Sequence, residues 1–88
     1  MKTAYRESFN RDLQRLNNKK LNDKVKSIIS EVEKARNLSE IRNCKKMEGH
    51  PAAFRIRTGD YRLGFFFENE TVEFARFLHR KEAYRYFP

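Results

Sequence analysis

Apolar residues recur every three or four positions in the first part of the chain, which is the period of an amphipathic helix. The segment Thr3–Arg6 is predicted as a short edge strand, and Ser8 as the N-cap of a first helix. Asn22 is the predicted cap of a second helix. The first helix has Phe9, Leu13 and Leu16 on its apolar side, opposite Arg11, Asp12, Gln14 and Arg15. The second has an apolar stripe of Leu21, Val25, Ile28, Ile29, Val32 and Ala35.

Alternating apolar and polar residues dominate the second half of the chain, which is typical of strands half-buried in a sheet. The predicted strands are Asn43–Glu48, Ala53–Thr58, Tyr61–Glu68 and Thr71–Leu78. Their short linkers predict an antiparallel meander, and the tail 80–87 is predicted as one helical turn. We therefore expect one α+β domain over residues 1–88. An N-terminal helical hairpin packs on one face of its small twisted antiparallel sheet, and the other face stays open.

The dipeptide Gly59-Asp60 suits a two-residue hairpin turn, because a type II′ turn prefers glycine at its first position. This register gives one apolar face of Phe54, Ile56, Leu63 and Phe65. It gathers three arginines, Arg55, Arg57 and Arg62, on the opposite face. Like charges opposite each other weaken a sheet, and Asp60 is the only close carboxylate. The cluster indicates an anionic partner, and the alternative is a charged face exposed only to water.

The next predicted turn, Asn69-Glu70, extends the register to the last strand. It sets Gly64 beside Ala75 and Arg62 beside Phe77, which predicts a shallow depression between basic and aromatic groups. Arg76 falls on the core side in this register, and a β-bulge would relieve that conflict.

The charge balance supports an anionic partner without identifying it. The chain has 20 Lys and Arg against 12 Asp and Glu, a net charge of +8 and a pI near 9.9. Nucleic acid, an acidic protein and an anionic membrane surface all fit that charge. Cys44 is the single cysteine, so no internal disulfide forms, and no apolar run is long enough to span a membrane. We expect a cytoplasmic protein.

The C-terminal tail interleaves basic and aromatic residues, a composition common at RNA contacts. Its members are His79, Arg80, Lys81, Tyr84, Arg85, Tyr86 and Phe87. The alternative is a tail whose aromatic rings pack back on the sheet. We predict that alternative for Tyr86 and Phe87, and a functional role for Arg80 and Tyr84.

Three segments together resemble the RelE/ParE toxin superfamily. They are Lys45-Lys46-Met47-Glu48-Gly49, then 54–63 with its R-I-R-T-G-D-Y-R run, then His79-Arg80-Lys81-Glu82-Ala83-Tyr84-Arg85. The resemblance covers almost the whole chain, and the R-I-R-x-G-D-Y-R element is its most specific part. It implies a helical hairpin on a small antiparallel sheet, as the periodicity does.

The resemblance also implies roles for individual residues. Arg55 and Arg57 match basic residues on the strand that faces the scissile phosphate, and Arg62 matches an arginine that contacts that phosphate. Arg80 matches the basic residue after the last strand, and Tyr84 matches a tyrosine that stacks on or positions the cut nucleotide. His79 has counterparts in some subfamilies that help to transfer protons. The candidate catalytic residues are Arg57, Arg62, His79, Arg80 and Tyr84. Because arginine holds its proton, His79, Lys45 or Lys46 is a better base. The candidate RNA-binding residues are Lys45, Lys46, Arg55, Lys81 and Arg85.

The implied function is that of a type II toxin–antitoxin toxin which cleaves mRNA on the ribosome by attack of a 2′-hydroxyl. The implied partners are a cognate antitoxin, the ribosome and mRNA, with no metal and no other cofactor. Two alternatives stay open. One is a ParE-like inhibitor of DNA gyrase without nuclease activity, and the other is an inactive member that only binds its antitoxin.

Overall fold

Five strands form one sheet, and helices cover its two faces unequally. The computed structural model describes residues 1–88. Its elements are β1 (Lys2–Tyr5), α1 (Glu7–Leu16), α2 (Lys19–Lys34), a 3-10 turn (Leu38–Glu40), β2 (Cys44–Lys46), β3 (Ala53–Thr58), β4 (Tyr61–Glu68), β5 (Thr71–His79) and α3 (Arg80–Tyr86). The strand order across the sheet is β1-β5-β4-β3-β2. This confirms the predicted α+β class, with the helical hairpin α1–α2 on one face.

The sheet is mixed, whereas the sequence predicted an antiparallel one. Strands β2 to β5 form the expected antiparallel meander, but β1 pairs with β5 in parallel, with Lys2 beside Thr71 and Tyr5 beside Phe74. The antiparallel prediction came from short linkers, which force neighbouring strands to reverse. No such linker joins β1 to β5, because most of the chain lies between them.

Both helix starts differ from the predicted caps. Helix α1 begins at Glu7 after Arg6, without a side-chain cap, and the Ser8 hydroxyl instead donates to the Ala75 carbonyl at 2.7 Å. Helix α2 is capped by Asn18, whose side-chain oxygen accepts the Leu21 N–H at 3.1 Å. Asn22 therefore lies within the first turn of α2. Several polar residues in this segment are suitable caps, so the cap predicted from the sequence lies four residues after the observed one.

The main core lies between the helical hairpin and the sheet. Its buried members come from α1, α2, the loops that follow α2, and strands β3 to β5: Phe9, Val25, Val32, Ala35, Ile41, Ile56, Leu63, Phe65, Val72, Phe74 and Phe77. The apolar sides predicted for both helices and for β3 and β4 are confirmed. The β3–β4 register is also confirmed in every pair, from Phe54 opposite Phe65 to Thr58 opposite Tyr61. Gly59 has φ +58°, as the first position of the predicted turn requires.

A β-bulge in β5 reverses part of the predicted β4–β5 register. Phe65 pairs with Phe74 as predicted, but Gly64 pairs with Arg76 and Leu63 with Phe77, so Ala75 is the extra residue. The predicted neighbours Gly64–Ala75 and Arg62–Phe77 are therefore wrong. This bulge relieves the conflict at Arg76 that was noted in the sequence. It moves Arg76 away from the core side and brings Phe77 into the core.

Helix α1 supplies hydrogen-bond partners for the backbone of β5 beyond the end of β1. The buried Asp12 carboxylate accepts the Phe77 N–H at 2.9 Å and binds Arg76 through two bonds of 2.8 and 3.1 Å. The Ser8 hydroxyl donates to the Ala75 carbonyl at the same edge. Asp12 was predicted on the exposed side of α1, which is wrong. Its polar side chain is buried because unpaired backbone groups of a sheet edge need partners.

The second face of the sheet is partly covered, in contrast to the open face predicted. Helix α3 packs on it through a smaller cluster of Ala53, Ala75, Leu78, Ala83 and Phe87. The predicted depression beside Gly64 is filled by the Phe87 ring. Packing of Phe87 on the sheet is confirmed, whereas Tyr86 remains 46% exposed.

The ion pair between Asp12 and Arg76 should contribute far more to stability than a surface pair. In Asp12→Ala, Arg76 loses its partner and the Phe77 N–H loses its acceptor, so the free energy of unfolding should fall by about 3 kcal/mol in urea titration. Asp23→Ala is the control, because Asp23 pairs with the exposed Lys19, and it should cost less than about 0.5 kcal/mol. Equal losses in the two variants would contradict the role given to Asp12.

Candidate nucleic-acid interface

Side chains from four elements form a cationic cluster on the α3-covered side of the sheet. Strand alternation points Arg55 and Arg57 of β3 and Arg62 of β4 to this side, and Arg57 lies directly opposite Arg62. Lys45 of β2 pairs with Arg55, and α3 adds Arg80 and Tyr84 one helical turn apart. We call this set the cationic cluster: Lys45, Arg55, Arg57, Arg62, Arg80 and Tyr84.

The charges in the cluster act on one another. The pKa of Arg62 is lowered by partial burial and then by the positive charges of Arg55, Arg57 and Arg80. One guanidinium nitrogen of Arg62 donates to the Gly59 and Tyr61 carbonyls, at 3.0 and 2.9 Å. The β3–β4 turn therefore fixes this guanidinium among other cations. Such an arrangement is unfavourable until an anion arrives, and it requires little reorganisation when one does.

Tyr84 provides the one hydroxyl group of the cationic cluster. Arg55 donates to the Tyr84 oxygen at 2.8 Å, and its guanidinium lies 5.1 Å from the ring centroid. The hydrogen bond from Arg55 lowers the pKa of the Tyr84 phenol, and the charges of Arg55, Arg62 and Lys45 lower it further. The side chain is 74% exposed, so both the ring and the oxygen are accessible to a ligand.

Little negative charge offsets the cluster. Its one ion pair joins Arg80 to Asp60 at 3.8 Å, and both side chains are largely exposed. Arg55, Arg57 and Arg62 form no salt bridge. The arginine of this sheet that does have a close carboxylate, Arg76, lies at the bulge. The cluster thus has the electrostatics of an anion site, and the Arg57–Arg62 pairing predicted from the turn is what concentrates it.

Not every predicted site residue joins the cluster. Lys46 pairs with Phe54, so it points to the other side of β2. Lys81 and Arg85 are exposed on the outer side of α3, away from Ala83 and the sheet. These three cations can contact a large ligand at the rim.

His79 ends β5 on the side of the sheet that faces the helical hairpin. It pairs with Tyr61, and the two rings meet edge to face with centroids 5.4 Å apart. Its Nδ1 accepts the Lys81 N–H at 3.2 Å and so caps α3. His79 therefore has a structural role as the cap of α3, and its ring lies outside the cationic cluster.

An open depression of about 350 Å³ adjoins the cluster between β2 and β3. It is lined by Asn43, Cys44, Lys45, Arg55 and Arg57. Burial raises the pKa of the Cys44 thiol to about 11, so the thiol is protonated at neutral pH and is a poor nucleophile. The depression therefore offers cations and no thiolate.

Sequence reasoning missed two contacts that build the site. Phe87 seats its ring against Gly64 beneath α3, and Asp12 holds Arg76 at the bulge. A signal for Asp12 was available, because it follows Phe9 by three positions and so shares its side of α1. Two signals for the Phe87 contact were also available, the depression predicted at Gly64 and the packing on the sheet predicted for Phe87, but the depression was assigned to a ligand.

Two further features bear on what the chain can bind. No three His, Cys, Asp or Glu side chains come together as a possible metal site. None of the helices has the length and apolar character needed to cross a membrane.

Comparison with known proteins gives concordant matches. Residues 4–84 match the family model described as the ParE toxin of the type II toxin–antitoxin system parDE. The chain is 35% identical to Toxin RelE3 of Methanocaldococcus jannaschii over 89 residues, covering all of both proteins. The structure is similar to the crystal structure of a RelB-RelE antitoxin-toxin complex from Methanococcus jannaschii, with a TM-score of 0.81 and 33% identity. That match covers 97% of this chain and 99% of the other.

The family resemblance stated from the R-I-R-x-G-D-Y-R run is therefore confirmed over the full length of the chain. The fold, the family model and the full-length relative agree, and the chain belongs to the RelE/ParE family of type II toxin–antitoxin toxins.

Proposed function

We propose that this toxin is a ribosome-dependent endoribonuclease that cleaves mRNA by attack of a 2′-hydroxyl on the adjacent phosphate. The observation that carries the proposal is the cationic cluster, in which four guanidinium groups and an exposed tyrosine face solvent with one loosely held carboxylate. A phosphodiester in transfer gains negative charge, and fixed cations stabilise that charge. The similarity to a protein named Toxin RelE3 supports the same reading.

The proposed reaction needs three tasks from the protein. A base takes the 2′-hydroxyl proton as its oxygen bonds to phosphorus, cations stabilise the pentacoordinate phosphate, and an acid protonates the departing 5′-oxygen. The products are a 2′,3′-cyclic phosphate and a 5′-hydroxyl. Arg57 and Arg62 serve the middle task, because they lie directly opposite each other on one face of the β3–β4 hairpin.

Lys45 and Tyr84 are the cluster members that can exchange a proton with the substrate, since arginine retains its own. The depressed pKa of Tyr84 favours its oxygen as the proton acceptor. Arg80, one turn before Tyr84, is assigned to stabilising the charge on the departing 5′-oxygen, and Lys45 to giving that oxygen its proton. Among the bases considered from sequence, His79 and Lys46 are less favoured, because neither side chain points into the cluster.

Dependence on the ribosome follows from the shape of the cluster. It lies beside α3 on the exposed part of this face of the sheet, next to an open depression and without a deep cleft that could bury and align a nucleotide. In-line attack requires the 2′-oxygen, phosphorus and 5′-oxygen to be held in one geometry, and alignment accounts for a large part of such catalysis. We infer that the ribosome holds the mRNA and that the toxin supplies charge and proton transfer. The cytoplasm is the corresponding compartment.

Inhibition of DNA gyrase is the second candidate function. It is favoured by the match to the ParE toxin model, which covers residues 4–84. In that case the cationic cluster binds an acidic protein surface or DNA without chemistry. A gyrase supercoiling assay with purified toxin separates the two functions.

An antitoxin partner is proposed for the groove between α1 and α2. The groove has a volume of about 650 Å³ and is lined by Tyr5, Phe9, Asn10, Leu13, Gln14, Asn17, Asn22, Val25, Lys26 and Ile29. The buried side-chain oxygen of Asn22 has no hydrogen-bond partner there. An amphipathic antitoxin segment supplies both apolar cover and a donor for that oxygen.

Loss of one cluster charge should slow cleavage without abolishing binding. Arg62→Ala should lower the single-turnover cleavage rate on programmed ribosomes by roughly a hundredfold, the usual effect of removing one charge-stabilising donor. Ribosome affinity should change much less, since other cations remain. Arg36→Ala removes one exposed arginine away from the cluster and is the matched control. If both variants cleave at the wild-type rate, the cluster is not the catalytic site.

The Tyr84 phenol should titrate below the ordinary tyrosine pKa of 10.0. The difference in absorbance at 295 nm between wild type and Tyr84→Phe isolates its titration. Arg55→Gln should raise the midpoint, because it removes the donor that stabilises the phenolate and one positive charge. A midpoint that Arg55→Gln leaves unchanged would show that the hydrogen bond is absent in solution.

Tyr5 should anchor the antitoxin, because its ring is 45% exposed and lines the α1–α2 groove. Tyr5→Ala should weaken binding of the cognate antitoxin by roughly tenfold, as expected for a buried aromatic anchor. Tyr86→Ala is the control, since Tyr86 is equally exposed at 46% but lies on α3. The reverse order of effects, measured by calorimetry, would relocate the antitoxin to the α3 side.

A further inference from the structure

The Phe87 ring occupies a space, here called its seat, that exists because residue 64 is a glycine and has no side chain. The ring of Phe87 lies so close to Gly64 that a Cβ built there would be 2.6 to 2.8 Å from three ring carbons. Phe87 is 5% exposed, and its ring centroid is 5.2 Å from that of Phe66. Gly64 does not adopt a positive φ, so its backbone does not require glycine. The requirement at this position is space for the ring.

Helix α3 depends on this seat for its place on the sheet. It has seven residues, and a helix so short is not stable in isolation. Ala83 and Phe87 are the buried groups that join it to the smaller core cluster. The His79 cap and the bond from the Arg80 N–H to the Asp60 carbonyl, at 2.7 Å, hold only its first turn. The far end, which includes Tyr84, is held on the sheet by the burial of Phe87, and the exposed hydrogen bond from Arg55 to Tyr84 forms only when the helix is in place.

We propose that Phe87 is a positioning residue for cleavage: its ring, seated on Gly64, docks α3 so that Tyr84 and Arg80 stay beside the arginines of the sheet. The inference rests on the proposed nuclease function. The buried Phe87 ring lines one small cavity together with Arg55 and Arg62, but it offers a phosphate neither a charge nor a hydrogen-bond donor. It acts through Tyr84, which lies three residues earlier and reaches Arg55 at 2.8 Å.

Four variants test the proposal: Phe87→Ala, Gly64→Ala, the double variant, and Tyr86→Ala as the control that truncates a neighbouring aromatic residue outside the seat. Circular dichroism first checks that each variant is folded, and Phe87→Leu replaces Phe87→Ala if the latter is not. Two measurements follow. One is the single-turnover cleavage rate at saturating programmed ribosomes, together with ribosome affinity. The other is the rate of trypsin cleavage after Arg80, Lys81 and Arg85, which does not need nuclease activity.

Phe87→Ala and Gly64→Ala should each lower the cleavage rate by roughly a hundredfold, the cost of a catalytic group displaced by about 1 Å. Affinity should change little, because the sheet cations are untouched. Trypsin should also cleave both variants faster within α3 than it cleaves the wild type. The methyl group of Gly64→Ala should have no further effect once Phe87 is alanine, because the clash is gone. Tyr86→Ala should resemble wild type in both measurements.

Independent, multiplying losses from the two substitutions would overturn the proposal, as would a Phe87→Ala rate equal to that of Tyr86→Ala. A wild-type protein that never cleaves mRNA would defeat the proposed function alone. The trypsin measurement then still decides whether the Phe87 seat docks α3. Equal trypsin sensitivity in all four variants and wild type would show that it does not.

Discussion

The β-bulge at Ala75 is the constraint on which the rest of the molecule depends. One extra residue in β5 reverses the side taken by every residue after it, so Phe77 enters the main core and Leu78 faces α3. Asp12 holds the bulge from helix α1 by accepting the Phe77 N–H and pairing with Arg76. Without the bulge, Arg76 would be buried against the helices, and the C-terminal helix would leave β5 on the wrong side.

The consequence for function is an electrostatic one. The sheet places Arg57 opposite Arg62, and α3 brings Arg80 and Tyr84 to the same surface, while Asp60 offers one weak counter-charge. Holding these cations together opposes folding, and the main core and the Asp12–Arg76 pair offset that cost. Because hydrogen bonds hold Arg55 and Arg62 in place before any ligand arrives, these two cations need little reorganisation when a phosphate gains charge. The hydrogen bond from Arg55, together with the neighbouring positive charges, lowers the pKa of the Tyr84 phenol, which links the charge of the site to its proton chemistry.

Local chemistry determined what could be predicted from the sequence. The glycine at position 59 specified its turn, the turn specified the β3–β4 register, and the register gave the arginine face and half of the core. The conflict at Arg76 was visible, although its solution needed the distant Asp12. Three contacts between residues far apart in sequence were not predicted, because local patterns do not specify the partner: β1 beside β5, Asp12 at a sheet edge, and Phe87 on Gly64. His79 shows the converse, because a residue suited to proton transfer faces the helices and caps α3.

The central claim, that the cationic cluster cuts ribosome-bound mRNA, is tested most directly by the chemistry of the product ends. Wild-type toxin is incubated with mRNA alone, with mRNA on programmed ribosomes, and with a gyrase supercoiling reaction. The account predicts fragments with a 2′,3′-cyclic phosphate and a 5′-hydroxyl, formed at the A-site codon on ribosomes only, and undisturbed supercoiling. Intact mRNA on the ribosome together with blocked supercoiling would contradict it, and the cluster would then bind gyrase without performing chemistry.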